Sequence, residues 1–125
     1  MTRRLCIGLL LAIVTLLGCA VAPKVSFQRD VYPILEEKCL DCHRTPEGKG
    51  YKKTGLNMET YESLMQGSDY GPVVLPADGT HSPLIMLVEG RVDASLLMPY
   101  HKDELLNETE IVTLRTWVEQ GAKRD

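Results

Sequence analysis

The densest chemistry in this 125-residue chain lies in five consecutive residues, Cys39-Leu40-Asp41-Cys42-His43. Two thiols at this spacing can each form a thioether with one vinyl group of the same porphyrin. The next residue then carries an imidazole beneath the ring, where it can bind iron. The C-x-x-C-H pattern therefore points to one covalently attached haem c, held by Cys39 and Cys42 with His43 as an axial ligand. Two other chemistries use similar residues. A zinc site needs four ligands, and His81 or His101 would complete a set with Cys39, Cys42 and His43. A thioredoxin-like redox pair places C-x-x-C at a helix N-terminus in a βαβ setting. Here the motif follows a predicted helix, and no strands flank it.

A second axial ligand must be sought among Met58, Met65, Met86, Met98, His81 and His101. Met65 and Met86 fall inside predicted helices, where methionine ordinarily fills the core. Met58 falls near the start of one. Met98 differs, because Pro99 follows it and biases it to extended backbone. It is expected in a loop able to lay its thioether across the haem. His/Met ligation fills both axial sites and raises the reduction potential, which suits an electron carrier. His81, His101 or an open site are the alternatives. An open or displaceable site would suit a haem-based sensor or a small haem enzyme. Arg44, Lys49, Lys52 and Lys53 cluster after the motif, diluted by Glu47. They read either as a docking patch for an acidic redox partner or as a solvated loop. Arg91, Tyr70 and Tyr100 are candidates to pair with haem propionates, with surface or rim packing as their ordinary use.

Helices must position these groups. With Asp30 as N-cap, Pro33 falls in a first turn, where its missing N–H costs little. Val31, Ile34 and Leu35 then form an apolar face leading into Cys39. Residues 57–66 read as a second helix, stopped by Gly67. Ser82-Pro83 caps and opens a third, closed by Gly90. In the last helix Asn107 and Glu110 suit a capping box, with Leu106 and Ile111 as its hydrophobic staple. Ile111, Leu114 and Val118 make its apolar stripe, Trp117 widens it, and Gly121 ends it. No segment alternates at period two, and residues 71–76 are at most a short extended piece. The class is all-α with long loops. One Phe, one Trp and five Tyr make a thin core for about a hundred residues, which a large apolar cofactor would complete.

The first residues read differently. Arg3 and Arg4 precede an apolar run, Leu5 to Leu17, shorter than the roughly 20 residues of a lasting membrane span. The pattern is that of a secretory signal peptide. Leu16-Leu17-Gly18-Cys19 resembles the lipobox of bacterial lipoproteins, which implies cleavage before Cys19 and its acylation. Several acyl chains would hold the protein firmly to a membrane. The organisation expected is therefore a signal peptide over 1–18, a lipidated tether over 19–26 and a domain over 27–125, on the periplasmic side of a bacterial membrane. Cys6 leaves with the signal and Cys19 takes lipid, so no cysteine beyond the Cys39/Cys42 pair remains for a structural disulfide. Removing residues 1–18 leaves 12 basic residues against 17 acids, a side-chain charge of about −5, which argues against nucleic acid as a partner.

Several stretches together resemble the planctomycete-type cytochrome c domain. They are Phe27-Gln28-Arg29-Asp30-Val31-Tyr32-Pro33-Ile34-Leu35, the Cys39–His43 motif and Gly55-Leu56-Asn57-Met58-Glu59-Thr60-Tyr61. Ser82-Pro83-Leu84-Ile85, Met98-Pro99 and Trp117-Val118-Glu119-Gln120-Gly121-Ala122 follow in order. The likeness runs from Phe27 to Ala122. It implies a small class I cytochrome c-like helical fold wrapped around one haem, with the first and last helices packed against each other. It also implies Met98 as the distal ligand. Relatives commonly read Met-Pro-Pro, and here Tyr100 takes the place of the second proline. The expectation is a membrane-tethered electron carrier rather than an enzyme, passing single electrons between extracytoplasmic redox partner proteins.

Overall fold

Ser26 sets where the first helix begins. Its hydroxyl accepts the Arg29 N–H at 2.9 Å, and the Asp30 carboxylate reaches back to accept the Ser26 N–H at 2.8 Å. Two donors that a helix end leaves unpaired are thereby satisfied. In the computed structural model, which describes residues 22–100 and 104–125, a π-helical turn, Phe27–Val31, runs into helix α1, Tyr32–Lys38. The signal peptide, Cys19 and His101 of the sequence reading lie outside the described residues. Asp30 thus sits inside the first turn rather than capping it, and serves the cap from there. Pro33 has no N–H, and its ring would meet the carbonyl a turn behind it. The wider π turn just before it accommodates both. Val31 and Leu35 are fully buried, as the apolar face predicts.

Four more helices follow: α2, Lys49–Thr54; α3, Tyr61–Gln66; α4, Pro83–Val88; and α5, Glu108–Glu119. A short 3₁₀ turn, Ala94–Leu96, lies between the last two. Among the described residues there is no strand, only an isolated bridge from Ser68 to Gly71. The all-α expectation holds. Helix α2 was not foreseen, because its residues read only as a charge cluster. Helix α3 starts later than expected, at Tyr61, where Thr60 and Ser63 exchange cap bonds. Ser82 stands at the N-cap of α4, but its side chain does not cap the helix. It is fully buried and turns back to the extended segment instead, accepting the Leu75 N–H at 2.8 Å and donating to the Leu75 carbonyl at 3.2 Å.

Helix α5 closes the domain as its sequence predicts. Asn107 accepts the Glu110 N–H at 3.0 Å and Glu110 accepts the Asn107 N–H at 2.7 Å. Leu114, Trp117 and Val118 are buried, Leu106 is nearly so, and Ile111 packs at the core's edge. The first and last helices meet through rings: Phe27 lies 5.5 Å from Trp117 and 5.2 Å, edge-on, from Tyr61. The polar tips of both large partners are satisfied, Trp117 Nε1 by the Lys123 carbonyl at 3.0 Å and the Tyr61 hydroxyl by the Ala122 carbonyl at 2.9 Å. The segment read as tether is already docked from Pro23 onward, since Gln120 binds the Pro23 carbonyl at 3.1 Å and the Val25 N–H at 2.9 Å.

Ser82→Ala leaves the Leu75 N–H without that partner in a buried setting. It is expected to lower unfolding free energy by about 1–3 kcal/mol, measured by denaturant titration. A loss below roughly 0.5 kcal/mol, the usual range of surface substitutions, would contradict the role given to this hydroxyl.

Candidate functional site

The cysteine motif is wound into one turn by the helix before it. The Cys39 and Leu40 N–H groups donate to the Leu35 carbonyl at 2.9 and 3.0 Å. Those of Cys42 and His43 then donate to the Cys39 carbonyl at 3.1 and 2.9 Å. Both thiols are half-buried on this turn. His43 is buried, and the extended run after α2 grips it twice. Its main-chain carbonyl accepts the Met58 N–H at 2.8 Å, and its ring Nδ1 lies 3.3 Å from the Leu56 carbonyl. A carbonyl only accepts, so Nδ1 carries the proton and Nε2 presents a lone pair. Burial pushes the imidazole pKa down, and the Leu56 hydrogen bond offsets this only in part. The ring is neutral near pH 7, in the form that binds a metal.

Helix α2 braces the ring from the side. A β-carbon on Gly50 would lie 2.7 Å from His43 Cε1 and 2.9 Å from both ring nitrogens. Gly48 is pressed as closely against the backbone of Arg44, with a β-carbon only 2.6 Å from its carbonyl oxygen. The Tyr51 N–H meanwhile donates to the Cys42 carbonyl at 2.9 Å. The Gly48-Lys49-Gly50 spacing was the available signal for this close approach, but it is masked by the surrounding charges. Arg44, Lys49, Lys52 and Lys53 are all exposed, and Lys52 pairs with Glu47 at 2.5 Å. The three lysines therefore stand on the outside of the helix that braces His43, with Arg44 exposed just before it.

Met98 stands apart from this turn. It follows the Ala94–Leu96 turn on a loop hung from α4, where its N–H donates to the Leu87 carbonyl at 3.3 Å. Its side chain is half-buried, and Pro99 after it is buried. Met58 lies in the core, while Met65 and Met86 are half-buried on helices. His81 is at the surface, with Nδ1 2.9 Å from the Asp78 carboxylate. Among the described residues no three His, Cys, Asp or Glu side chains gather as a metal-binding set. Arg91 is engaged by Glu89 and by the Gly79 carbonyl. Tyr70 is 82% exposed on a turn, and Tyr100 is half exposed.

Sequence reasoning passed over Lys38, the residue before Cys39. It is 8% exposed, with Nζ 3.1 Å from Glu37, 3.6 Å from Glu104 and 4.0 Å from Glu110. The hydrogen bond to Glu37 outweighs burial and raises its pKa, so it stays charged. It ties the end of α1 to the first turn of α5. Nothing in a Glu-Glu-Lys run announces a buried lysine.

Two thiols and a neutral imidazole on one helical turn, with a thioether on a separate loop, suit a haem attached through two thioethers. A helical domain carrying such a set has the build of a small c-type haem protein. Residues 39–100 match the family model described as planctomycete cytochrome c, and the chain carries a cytochrome c domain of that type. Such a domain is by class a haem-binding electron carrier and implies covalently bound haem c. No curated protein and no solved structure matches the chain.

Gly50→Ala puts a methyl group into the His43 ring, so either the imidazole or α2 must shift. The expected cost is about 1–3 kcal/mol, as for overpacked cores, with a change in the haem's Soret absorption. Lys49→Ala, one residue away and exposed, should change neither. Equal behaviour of the two variants in thermal unfolding and in the visible spectrum would contradict the bracing role.

Proposed function

We propose that this chain is a membrane-tethered monohaem c-type cytochrome that passes single electrons between extracytoplasmic redox partners. The observation that carries the reading is the neutral His43 imidazole, with its Nδ1 proton held by Leu56, on the same turn as Cys39 and Cys42. In this reading Cys39 and Cys42 would hold the haem by thioethers, and His43 Nε2 and the Met98 sulfur would bind its iron. The bound iron supplies the one-electron couple. The protein's part would be to hold the His43 imidazole and the Met98 thioether in place across that change. The Leu56 carbonyl orients the imidazole and raises its basicity. A thioether ligand would favour the ferrous state. Arg44, Lys49 and Lys53, exposed beside the His43 brace, support docking by an acidic partner. Cys19 takes the lipid that tethers the domain. Among the described residues no helix is long and apolar enough to cross a membrane.

Cys39→Ala and Cys42→Ala are each expected to lose covalent haem, read by haem staining of a denaturing gel. Cys19→Ala should keep the stain but leave the membrane fraction. Staining that survives loss of both Cys39 and Cys42 would sink the attachment. Met98→Ala should abolish the far-red sulfur-to-iron band of the oxidised protein, lower its reduction potential and admit carbon monoxide readily. Met58→Leu, Met65→Leu and Met86→Leu should keep the band. A wild-type protein without the band, binding carbon monoxide at once, would favour a haem-based sensor or enzyme over a carrier.

A further inference from the structure

The arm from Glu89 to Met98 is tied at both ends to the last turn of α4. The Arg91 N–H donates to the Met86 carbonyl at 2.9 Å, and the Met98 N–H to the Leu87 carbonyl at 3.3 Å. Gly90 turns the chain with φ of +68°, and Leu97 packs back towards it, 3.4 Å from where a β-carbon would stand. Whatever fixes the end of α4 therefore fixes the base of the arm.

Glu89, which ends α4, divides its carboxylate between two elements. One oxygen accepts from Nε of Arg115 on α5 at 2.7 Å and from Nη2 of the same guanidinium. The other accepts from Nε of Arg91 on the arm. Arg115 also reaches Glu119 at 3.3 Å, and Arg91 reaches the Gly79 carbonyl at 3.5 Å. Gly79 is pressed against the same group, with a β-carbon only 2.9 Å from Glu119 Cγ and 3.3 Å from Arg115 Cγ. The Glu89 side chain is 15% exposed. Burial alone would raise its pKa, but the two arginines outweigh it and keep the carboxylate ionised. Exposed ion pairs contribute little. A carboxylate mostly removed from water and bonded through both oxygens is held more firmly.

We propose that Glu89 and Arg115 are positioning residues for Met98. By clamping the end of α4 to α5 and to the start of the arm, they govern how often the Met98 thioether leaves the iron. This rests on the reading of Met98 as axial ligand. A group that binds only when methionine is off samples the open fraction, so its apparent binding scales with that fraction. Loosening the clamp should enlarge it without touching the thioethers or His43.

The test uses haem-loaded protein, with carbon monoxide as the probe of the reduced state and the far-red band as the probe of the oxidised state. In Arg115→Leu and Glu89→Gln, haem staining should match wild type. Carbon monoxide binding should speed up by about tenfold or more, the scale of losing one charge-assisted hydrogen bond, and the far-red band should weaken. Arg115→Lys should recover part of both signals. If Arg115→Leu does not accumulate in folded form, Arg91→Leu, at a more exposed residue on the arm, carries the same test. Variants that unfold at lower temperature yet keep the wild-type band and carbon monoxide rate would overturn the proposal, because the clamp would then be only structural. A wild-type protein lacking the band would overturn the Met98 reading itself, and this proposal with it.

Discussion

A buried imidazole beside two thiols needs one of its nitrogens committed, and here the Leu56 carbonyl commits Nδ1. Much of the first half of the domain follows from that bond. The Leu56–Met58 run must pass close beside His43, which the Met58 N–H secures by binding the His43 carbonyl. The chain between them must turn back within a few residues, and α2 makes that turn with Gly55 in the left-handed region at φ of +71°. A side chain at residue 50 would collide with the ring, so glycine stands there. The tautomer, the route of the backbone and the choice of two glycines are one arrangement.

Helix α5 and its partners supply the frame. Phe27, Tyr61 and Trp117 meet where the first and last helices pack together, and aromatic pairs of this kind add about 0.5–1.5 kcal/mol each beyond their burial. Lys38 links the residue before Cys39 to the start of α5, while Glu89 links the end of α4 to its middle. Helix α5 is thus tied both to the end of α1, one residue before Cys39, and to the base of the arm that bears Met98. A single element tied to both segments holds them in register, since packed helices resist small displacements.

What was legible in the sequence is what local chemistry dictates. The Cys39–His43 spacing, the Asn107/Glu110 capping box and the stripe of Leu114, Trp117 and Val118 depend on residues a turn or less apart, and each is where it was expected. The elements that differed depend on partners far along the chain. Ser82 looks like an N-cap beside Pro83, but its hydroxyl binds the Leu75 N–H and carbonyl instead. Asp30 looks like a cap because Pro33 follows it, yet Ser26 takes that position. Helix α2 escaped notice because its lysines hide two glycines whose purpose is contact with His43 and its neighbours. The Leu56 carbonyl could not be seen at all, since every residue offers the same group and only the fold selects this one. Nor could the Glu89–Arg115 clamp, which joins residues 26 apart in sequence.

The two ends of the described domain lie side by side. The Asp125 carboxylate takes the Ser26 hydroxyl and, at 3.1 Å, the Gln28 N–H, while Gln120 holds Pro23 and Val25. A domain entered and left at one point can be spliced into a loop of another protein without a linker that spans its diameter. Fusion to a larger carrier would therefore need no linker as long as the domain is wide.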